Sequence, residues 1–167
     1  MTRQEATDFY RTHSRALYNT ALRIVRNPAE AEEIMQDSLM RYIQKGVRSA
    51  SDAQAASWLR TTCVRMSIDT LRRRKKGLDT FLDMPVEEVE GVVDENTEFE
   101  GAPDMAKIRT VMEGLPHPYA LILDLVLIEG MDYAGIARLT GQKETTLRSW
   151  YSRGRARLVK ELKMKTI

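Results

Sequence analysis

The side chains with the most evident chemistry are basic, and they are concentrated in two segments of the 167-residue chain. Residues 72–76 form an unbroken run of Arg and Lys, and residues 138–165 hold nine Lys or Arg against two acids. Residues 77–106, which lie between them, carry ten acids and no base. Two basic surfaces joined by an acidic connector are typical of a polyanion-binding protein with two contact sites. Solvated helix faces would show the same charges, so charge alone leaves that alternative open.

The second basic segment has the residue spacing of a helix-turn-helix. Tyr133 and Ile136 are apolar positions of a short first helix, and Gly141 stands where a tight turn requires a positive φ. The second helix directs Leu147 inward, and its outward positions hold Thr145, Arg148, Ser149, Trp150, Ser152 and Arg153. In a major groove, Arg pairs with guanine edges and small hydroxyls reach bases or phosphates, while Arg155 would add a phosphate contact. We therefore predict a DNA-reading helix, with a plain helical hairpin as the alternative.

No residues with catalytic or metal-binding spacing are evident in the sequence. A Ser/His/Asp set, a phosphate loop and a spaced carboxylate pair are all missing, which disfavours a nucleic-acid-processing enzyme. His13 and His117 stand far apart without Cys partners, and the single Cys63 lies on an apolar helix stripe. We expect no cofactor and no metal. With no secretory signal and no apolar run near the roughly 20 residues of a membrane span, we expect a cytoplasmic protein without membrane insertion.

Helical periodicity predicts three helices in the first part of the chain. In the first helix, apolar residues recur at three- and four-residue steps from Phe9 to Ile24. Asn27 and the following Pro are a start signal for the second helix, which should end near Gly46. The polar residues 49–52 form a loop that caps a third helix, and this helix runs into the first basic segment.

The middle of the chain separates two predicted domains. Residues 77–103 contain Gly, Pro and acids without apolar periodicity, and so long a structureless stretch argues against one domain. Beyond it, Asp104 is a plausible cap for a further helix, and a strongly apolar helix is expected from Tyr119 to Glu129. We predict an all-α chain with a helical domain at 1–76, an acidic flexible linker at 77–103 and a helical domain at 104–167.

Segments in both predicted domains resemble one family, the extracytoplasmic-function (ECF) sigma factors of the sigma-70 family. The C-terminal segments that resemble its region 4 are 115–116, 129–137, 146–149 and 153–155. The N-terminal segments that resemble its regions 2.2 to 2.4 are 31–40, 58–59 and 68–74. Many regulators contain a helix-turn-helix, but here two family segments occur in the family's order. The resemblance implies a sigma factor with a region 2 three-helix bundle and a region 4 helix-turn-helix.

The resemblance also implies binding surfaces for RNA polymerase core and promoter DNA. The surface for the clamp helices of the largest polymerase subunit would comprise Glu33, Gln36, Asp37, Met40 and Arg41. The surface for the −10 element, which captures a flipped base, would comprise Arg48, Ser49, Ser51, Asp52, Arg65, Arg72, Arg73 and Arg74. The surface for the −35 element would comprise Lys143, Thr145, Thr146, Arg148, Ser149, Trp150, Arg153 and Arg155. Region 4 would also rest on the flap of the second-largest subunit, and an anti-sigma factor is left open as a further partner.

Three positions depart from the family's usual pattern. Arg65 stands where many members carry Asn, Lys143 where a capping Ser is common, and Trp150 where a basic residue is common. These three departures affect the −10 contact, the cap of the second helix and one phosphate contact. The alternative function is a one-component regulator that binds a palindromic operator as a dimer through the same helix-turn-helix. A sigma factor instead predicts a monomer that binds two unlike elements together with polymerase.

Overall fold

A computed structural model describes residues 2–45, 51–74 and 104–164 of the protein. Throughout these ranges the regular elements are helical, which confirms the predicted all-α class. Residues 2–45 and 51–74 contain three helices, α1 (Arg3–Val25), α2 (Pro28–Lys45) and α3 (Asp52–Arg73). The last range holds α4 (Met105–Gly114), α5 (His117–Leu123), a π-helical turn (Asp124–Ile128), α6 (Tyr133–Thr140) and α7 (Glu144–Met164). Arg48, Ser49 and the predicted linker at 77–103 lie outside the described residues.

The chain divides into two compact units, residues 1–78 and 79–167, and each is described by itself. In the first unit, local sequence signals start the helices. Asn27 accepts a hydrogen bond from the Glu30 N–H at 3.0 Å, which confirms the predicted start of α2. Ser51 and Gln54 form a reciprocal capping box at α3, where each side chain accepts a bond from the other residue's N–H. Such caps satisfy N–H groups that the first turn of a helix leaves without partners.

The core of the first unit consists of the apolar faces of α1, α2 and α3. Its largest fully buried side chains are Ile24, Leu59, Ile68 and Leu71. The hydroxyls of Ser38 and Ser67 are buried there too, and each donates to a carbonyl of its own helix, at 2.8 and 2.7 Å respectively. Cys63 is fully buried and its thiol donates to the Leu17 carbonyl at 3.4 Å. These polar groups therefore do not interrupt the packing of the three helices.

In the second unit, α5 is buried from Pro118 to Leu123 and supports the other helices. The predicted apolar helix begins at His117, and from Asp124 it continues as a π-helical turn. Helix α7 packs closely on α5 at Gly154, where an added Cβ would lie 3.1 Å from the Tyr119 Cβ. Glycine allows this close approach, because a Cβ there would be tighter than an ordinary contact and the neighbouring atoms would have to shift by a few tenths of an ångström. None of the described helices is long and apolar enough to cross a membrane.

Candidate nucleic-acid interface

The helix-turn-helix predicted from the sequence is present as α6 and α7. Asp132 caps α6 by accepting a bond from the Gly135 N–H at 2.7 Å. Gly141 ends the same helix with a φ of 74°, a backbone conformation that favours glycine. The Leu147 N–H donates to the Lys143 carbonyl at 3.0 Å as α7 begins. The start of α6, the turn at Gly141 and the start of α7 thus follow one another at the spacing that the sequence predicted.

The residues predicted to contact the −35 element, which lie at the start of α7 and along it, differ in their exposure to solvent. Exposed positions are Lys143, Thr145 and Arg148, and half-buried positions are Thr146, Ser149, Arg153 and Arg155. Trp150 contradicts the prediction of an outward side chain, because only 8% of its surface is exposed. Its placement follows from helical spacing, since Leu147, Trp150 and Leu158 share one face of a helix with 3.6 residues per turn. Trp150 therefore packs into the second unit instead of facing a groove.

Arg148 has two neighbours that the sequence did not indicate. Its guanidinium carbon lies 5.2 Å from the centre of the Tyr133 ring, which belongs to α6. Its Nη2 atom also lies 3.8 Å from a carboxylate oxygen of Glu144, one turn earlier on α7. The Tyr133 ring meets the Tyr151 ring edge-on, with 6.2 Å between the ring centres. Arg148, the predicted base-reading residue, therefore has neighbours on both helices of the motif.

In the first unit, the predicted polymerase surface is an exposed face of α2. Glu33, Gln36, Asp37 and Arg41 are exposed, and Met40 is 55% exposed. The opposite face of the helix is buried against the core. The prediction that this face is polar, accessible and carries one apolar residue is confirmed, whereas its binding to polymerase stays a prediction.

A groove of about 1000 Å³ runs between α2 and α3. Its α2 wall includes Glu33, Asp37 and Arg41 from the predicted polymerase surface. Its α3 wall includes Arg65 and Arg73 from the predicted −10 surface. Two surfaces that were predicted separately thus meet in one groove. Gln36 and Met40 of the predicted polymerase surface are not among the residues that line it.

The predicted −10 residues on α3 have different local roles. Arg65, Arg72 and Arg73 are exposed along the helix. Arg74 instead turns back, so that its guanidinium donates to the Val25 carbonyl at 2.9 Å and forms an ion pair with Glu30. The prediction of a phosphate contact did not include these partners, which tie the end of α3 to the junction of α1 and α2.

The start of α3 is the described part of the predicted base-capture loop. Ser51 accepts from the Gln54 N–H at 3.2 Å, so this hydroxyl oxygen is already engaged in a cap. Asp52 is exposed at the first position of the helix. It acts on half-buried His13, whose pKa is lowered by burial, while the Asp52 charge opposes that effect.

An aromatic column that the sequence analysis did not identify supports this end of the first unit. The rings of Phe9 and Tyr42 stack with centres 4.8 Å apart, and the Trp58 ring meets Tyr42 edge-on at 5.4 Å. The Lys45 ammonium lies 5.2 Å from the centre of the Trp58 ring. Trp58 therefore packs within the unit and also borders the groove. Within the described residues, no group of three or more His, Cys, Asp or Glu is arranged to hold a metal ion.

Comparison with known proteins identifies the family. Residues 9–77 match the family model for sigma-70 region 2, and residues 105–158 match the model for sigma-70 region 4. These matches cover most of the chain, which therefore belongs to the sigma-70 family. Within that family it is an RNA polymerase sigma factor of the ECF type, as its relatives indicate. Nothing in the comparisons favours the one-component regulator.

The relatives span most of this chain. The ECF RNA polymerase sigma factor SigM of Mycobacterium tuberculosis is 31% identical over 153 residues, which are 92% of this chain and 74% of SigM. The RNA polymerase sigma-E factor of Streptomyces avermitilis is 26% identical over 98% of this chain and 88% of that factor. A solved structure of the sigma factor RpoE with the anti-sigma factor NepR from Bartonella quintana covers 95% of this chain and 96% of the RpoE chain, with 22% identity and a TM-score of 0.49. A likeness at that level carries no conclusion about partners of this chain.

Proposed function

We propose that this sigma factor binds core RNA polymerase in the cytoplasm and directs it to promoters with two unlike elements. The first unit would bind the polymerase and the −10 element, and the second unit would bind the −35 element. The observation that carries the proposal is the groove between α2 and α3, since the two surfaces predicted for the first unit meet there. The protein would act by binding alone, with promoter melting driven by base capture. Because flipping a base costs a few kcal/mol, contacts to the neighbouring phosphates must offset that cost.

The exposed face of α2 is proposed to dock on the clamp helices of the largest polymerase subunit. An accessible polar face around one exposed methionine is suited to an interface, because methionine adapts to irregular surfaces. Replacing Gln36 and Asp37 together by Ala should weaken core binding by about tenfold or more, the loss of roughly 1.4 kcal/mol. Titration of labelled protein with core polymerase measures this affinity. The fold should be retained, because both side chains are exposed.

A matched control is available on α1. Gln4 and Asp8 are also an exposed Gln and Asp, and their side chains are hydrogen-bonded to each other at 3.1 Å. Replacing both by Ala removes the same side chains from a surface outside the proposed interface. Core affinity should then stay within about twofold of the original, a change under 0.5 kcal/mol. Equal affinities for the two double variants would disprove the assignment of the α2 face.

The N-terminal part of α7 is proposed to enter the major groove of the −35 element. Arg148 is exposed near that end, so we assign it a base contact, and Arg153 a phosphate. The two cannot both reach the groove floor, because five residues along a helix turn the direction by roughly 140° after one full turn. Arg148→Ala should cost about 1–3 kcal/mol on the preferred sequence, whereas Arg153→Ala should weaken all sequences alike and reduce the salt slope by about one. Binding of reconstituted polymerase to a panel of −35 variants at two salt concentrations measures both effects, and equal sequence-independent losses would contradict the assignment.

The second unit is also proposed to rest on the flap of the second-largest subunit. Leu127, which is 51% exposed in the π-helical turn, would offer apolar surface for that contact. An anti-sigma factor that covered the α2 face would hold the protein inactive by competing with polymerase. The same titration with core polymerase, repeated with a candidate anti-sigma factor, tests whether the two partners exclude each other.

A further inference from the structure

We propose that Tyr133 of α6 is a positioning residue for promoter specificity, because its ring contacts the Arg148 guanidinium and restricts where that group can lie. This inference rests on the proposed contact between Arg148 and a base of the −35 element. The guanidinium carbon lies 5.2 Å from the ring centre, a distance at which a cation is attracted to the face of an aromatic ring. No residue of α6 belonged to the −35 surface predicted from the sequence.

A flexible side chain needs such a contact in order to read a base. Arg148 has a 59% exposed side chain on the surface of α7, so it has room for several rotamers. Its ion pair with Glu144 is long, at 3.8 Å, and is also exposed, so it is weak and screened by salt. The Tyr133 ring is half-buried and belongs to a different helix. The ring is therefore the firmer of the two constraints on the guanidinium.

The two contacts also differ in what they leave available for DNA. A guanidinium donates hydrogen bonds through its N–H groups, whereas its attraction to an aromatic ring is electrostatic and requires no such bond. The Tyr133 contact is therefore compatible with hydrogen bonds from Arg148 to the two acceptors of a guanine. The Glu144 carboxylate, by contrast, lies 3.8 Å from Nη2 and would compete with a base for the N–H groups of Arg148. Tyr133 can hold Arg148 in both the free and the bound protein.

Tyr133 is itself held in place. Its ring packs edge-on against Tyr151, with ring planes at 77° to each other. Tyr151 lies one turn after Arg148 on α7, so the Tyr133 ring contacts two neighbouring side chains of that helix. Because Asp132 fixes the first turn of α6 through its bond to the Gly135 N–H, the position of Tyr133 is set by the start of that helix. The packing of α6 against α7 thus fixes the position of Tyr133, and Tyr133 in turn restricts the position of the Arg148 side chain.

The test compares Tyr133→Leu with Tyr133→Phe in holoenzyme reconstituted with full-length protein. Removal of the aromatic face by Leu should reduce discrimination between the preferred −35 sequence and a mismatch at the Arg148 position by about two- to fivefold, while Phe should retain discrimination. In an Arg148→Ala background, the Leu substitution should have no further effect on discrimination. Tyr133→Met serves as a second variant if the Leu protein does not fold. Thermal unfolding of each protein shows whether the fold is retained.

An NMR measurement on the free protein separates this inference from the proposed function. The Arg148 side-chain protons should show a ring-current shift that is lost in Tyr133→Leu and kept in Tyr133→Phe. If the shift behaves so but Arg148→Ala keeps full −35 discrimination, the base contact is wrong and the proposed role of Tyr133 is wrong with it. If Arg148→Ala loses discrimination while Tyr133→Leu keeps it, the proposed function stands and the inference is overturned. A loss of discrimination in Tyr133→Phe would also overturn it, since the hydroxyl would then be the group that matters.

Discussion

His13 is a single residue whose ionisation is coupled to the fold of the first unit. It lies half-buried beside the Phe9 ring, with ring centres 4.6 Å apart. Burial lowers the pKa of its imidazole from the ordinary value of 6.5, against the opposing effect of the Asp52 charge. The folded protein thus favours neutral His13, and the unfolded chain takes up the proton first as the pH falls. The contribution of His13 to the free energy of unfolding is therefore fully present above about pH 6.5, and it decreases as the pH falls below that value.

The prediction for His13 is a difference in pH dependence. Between pH 7.5 and 5.5, the free energy of unfolding of the original protein should fall more than that of His13→Gln, because Gln does not titrate. Urea unfolding at several pH values measures both, and His117 is present in both proteins and serves as the internal reference. Parallel curves for the two proteins would show that His13 titrates with the same pKa in the folded and unfolded states.

At the scale of elements, Arg74 connects three helices at one end of the first unit. Its partners, the Val25 carbonyl and the Glu30 carboxylate, belong to the end of α1 and the start of α2. About a third of each ion-pairing side chain is exposed, 33% for Arg74 and 35% for Glu30, so solvent screens the pair. Together with the charged hydrogen bond to the carbonyl, the contact should stabilise the unit by on the order of 1–2 kcal/mol.

Replacing Arg74 and its neighbour separately distinguishes stability from DNA binding. Arg74→Ala should lower the free energy of unfolding by about 1–2 kcal/mol, as measured by chemical denaturation. Arg73→Ala is the matched control: this side chain is exposed and lines the groove, so stability should be unchanged within about 0.5 kcal/mol. Arg73→Ala should instead weaken binding of holoenzyme to −10 DNA. If Arg74→Ala left stability intact and weakened only DNA binding, the contacts with Val25 and Glu30 would not be significant.

At the scale of the whole molecule, the predicted division into two domains can be tested by proteolysis. Residues 77–106 contain no Lys or Arg, so trypsin has no site there, but several glutamates are present. A glutamate-specific protease should therefore cut first within 77–103 and release two fragments, because this segment lacks apolar periodicity and its acids repel one another. Mass spectrometry of early time points locates the cuts. First cuts between Ala16 and Leu71 would contradict the predicted domain boundaries.

The sequence by itself determined the helices, their caps and the helix-turn-helix, because these depend on neighbours a few residues away. Asn27, Ser51 and Gly141 each act within one turn of a helix end, and periodicity placed the buried faces. The prediction of an outward Trp150 was wrong, because a residue three positions after Leu147 lies on the same, core-facing side of the helix.

Only the tertiary structure decided which side chains from separate helices meet. Arg74 reaches Glu30 across 44 residues, and the Tyr133 ring faces Arg148 from the other helix of the motif. The groove likewise exists only where α2 lies against α3. Short-range patterns identify a helix and its faces, but the rotation and separation of packed helices depend on how all their side chains fit together. Contacts of that kind orient the residues proposed to read DNA, and they could not be predicted from residue spacing.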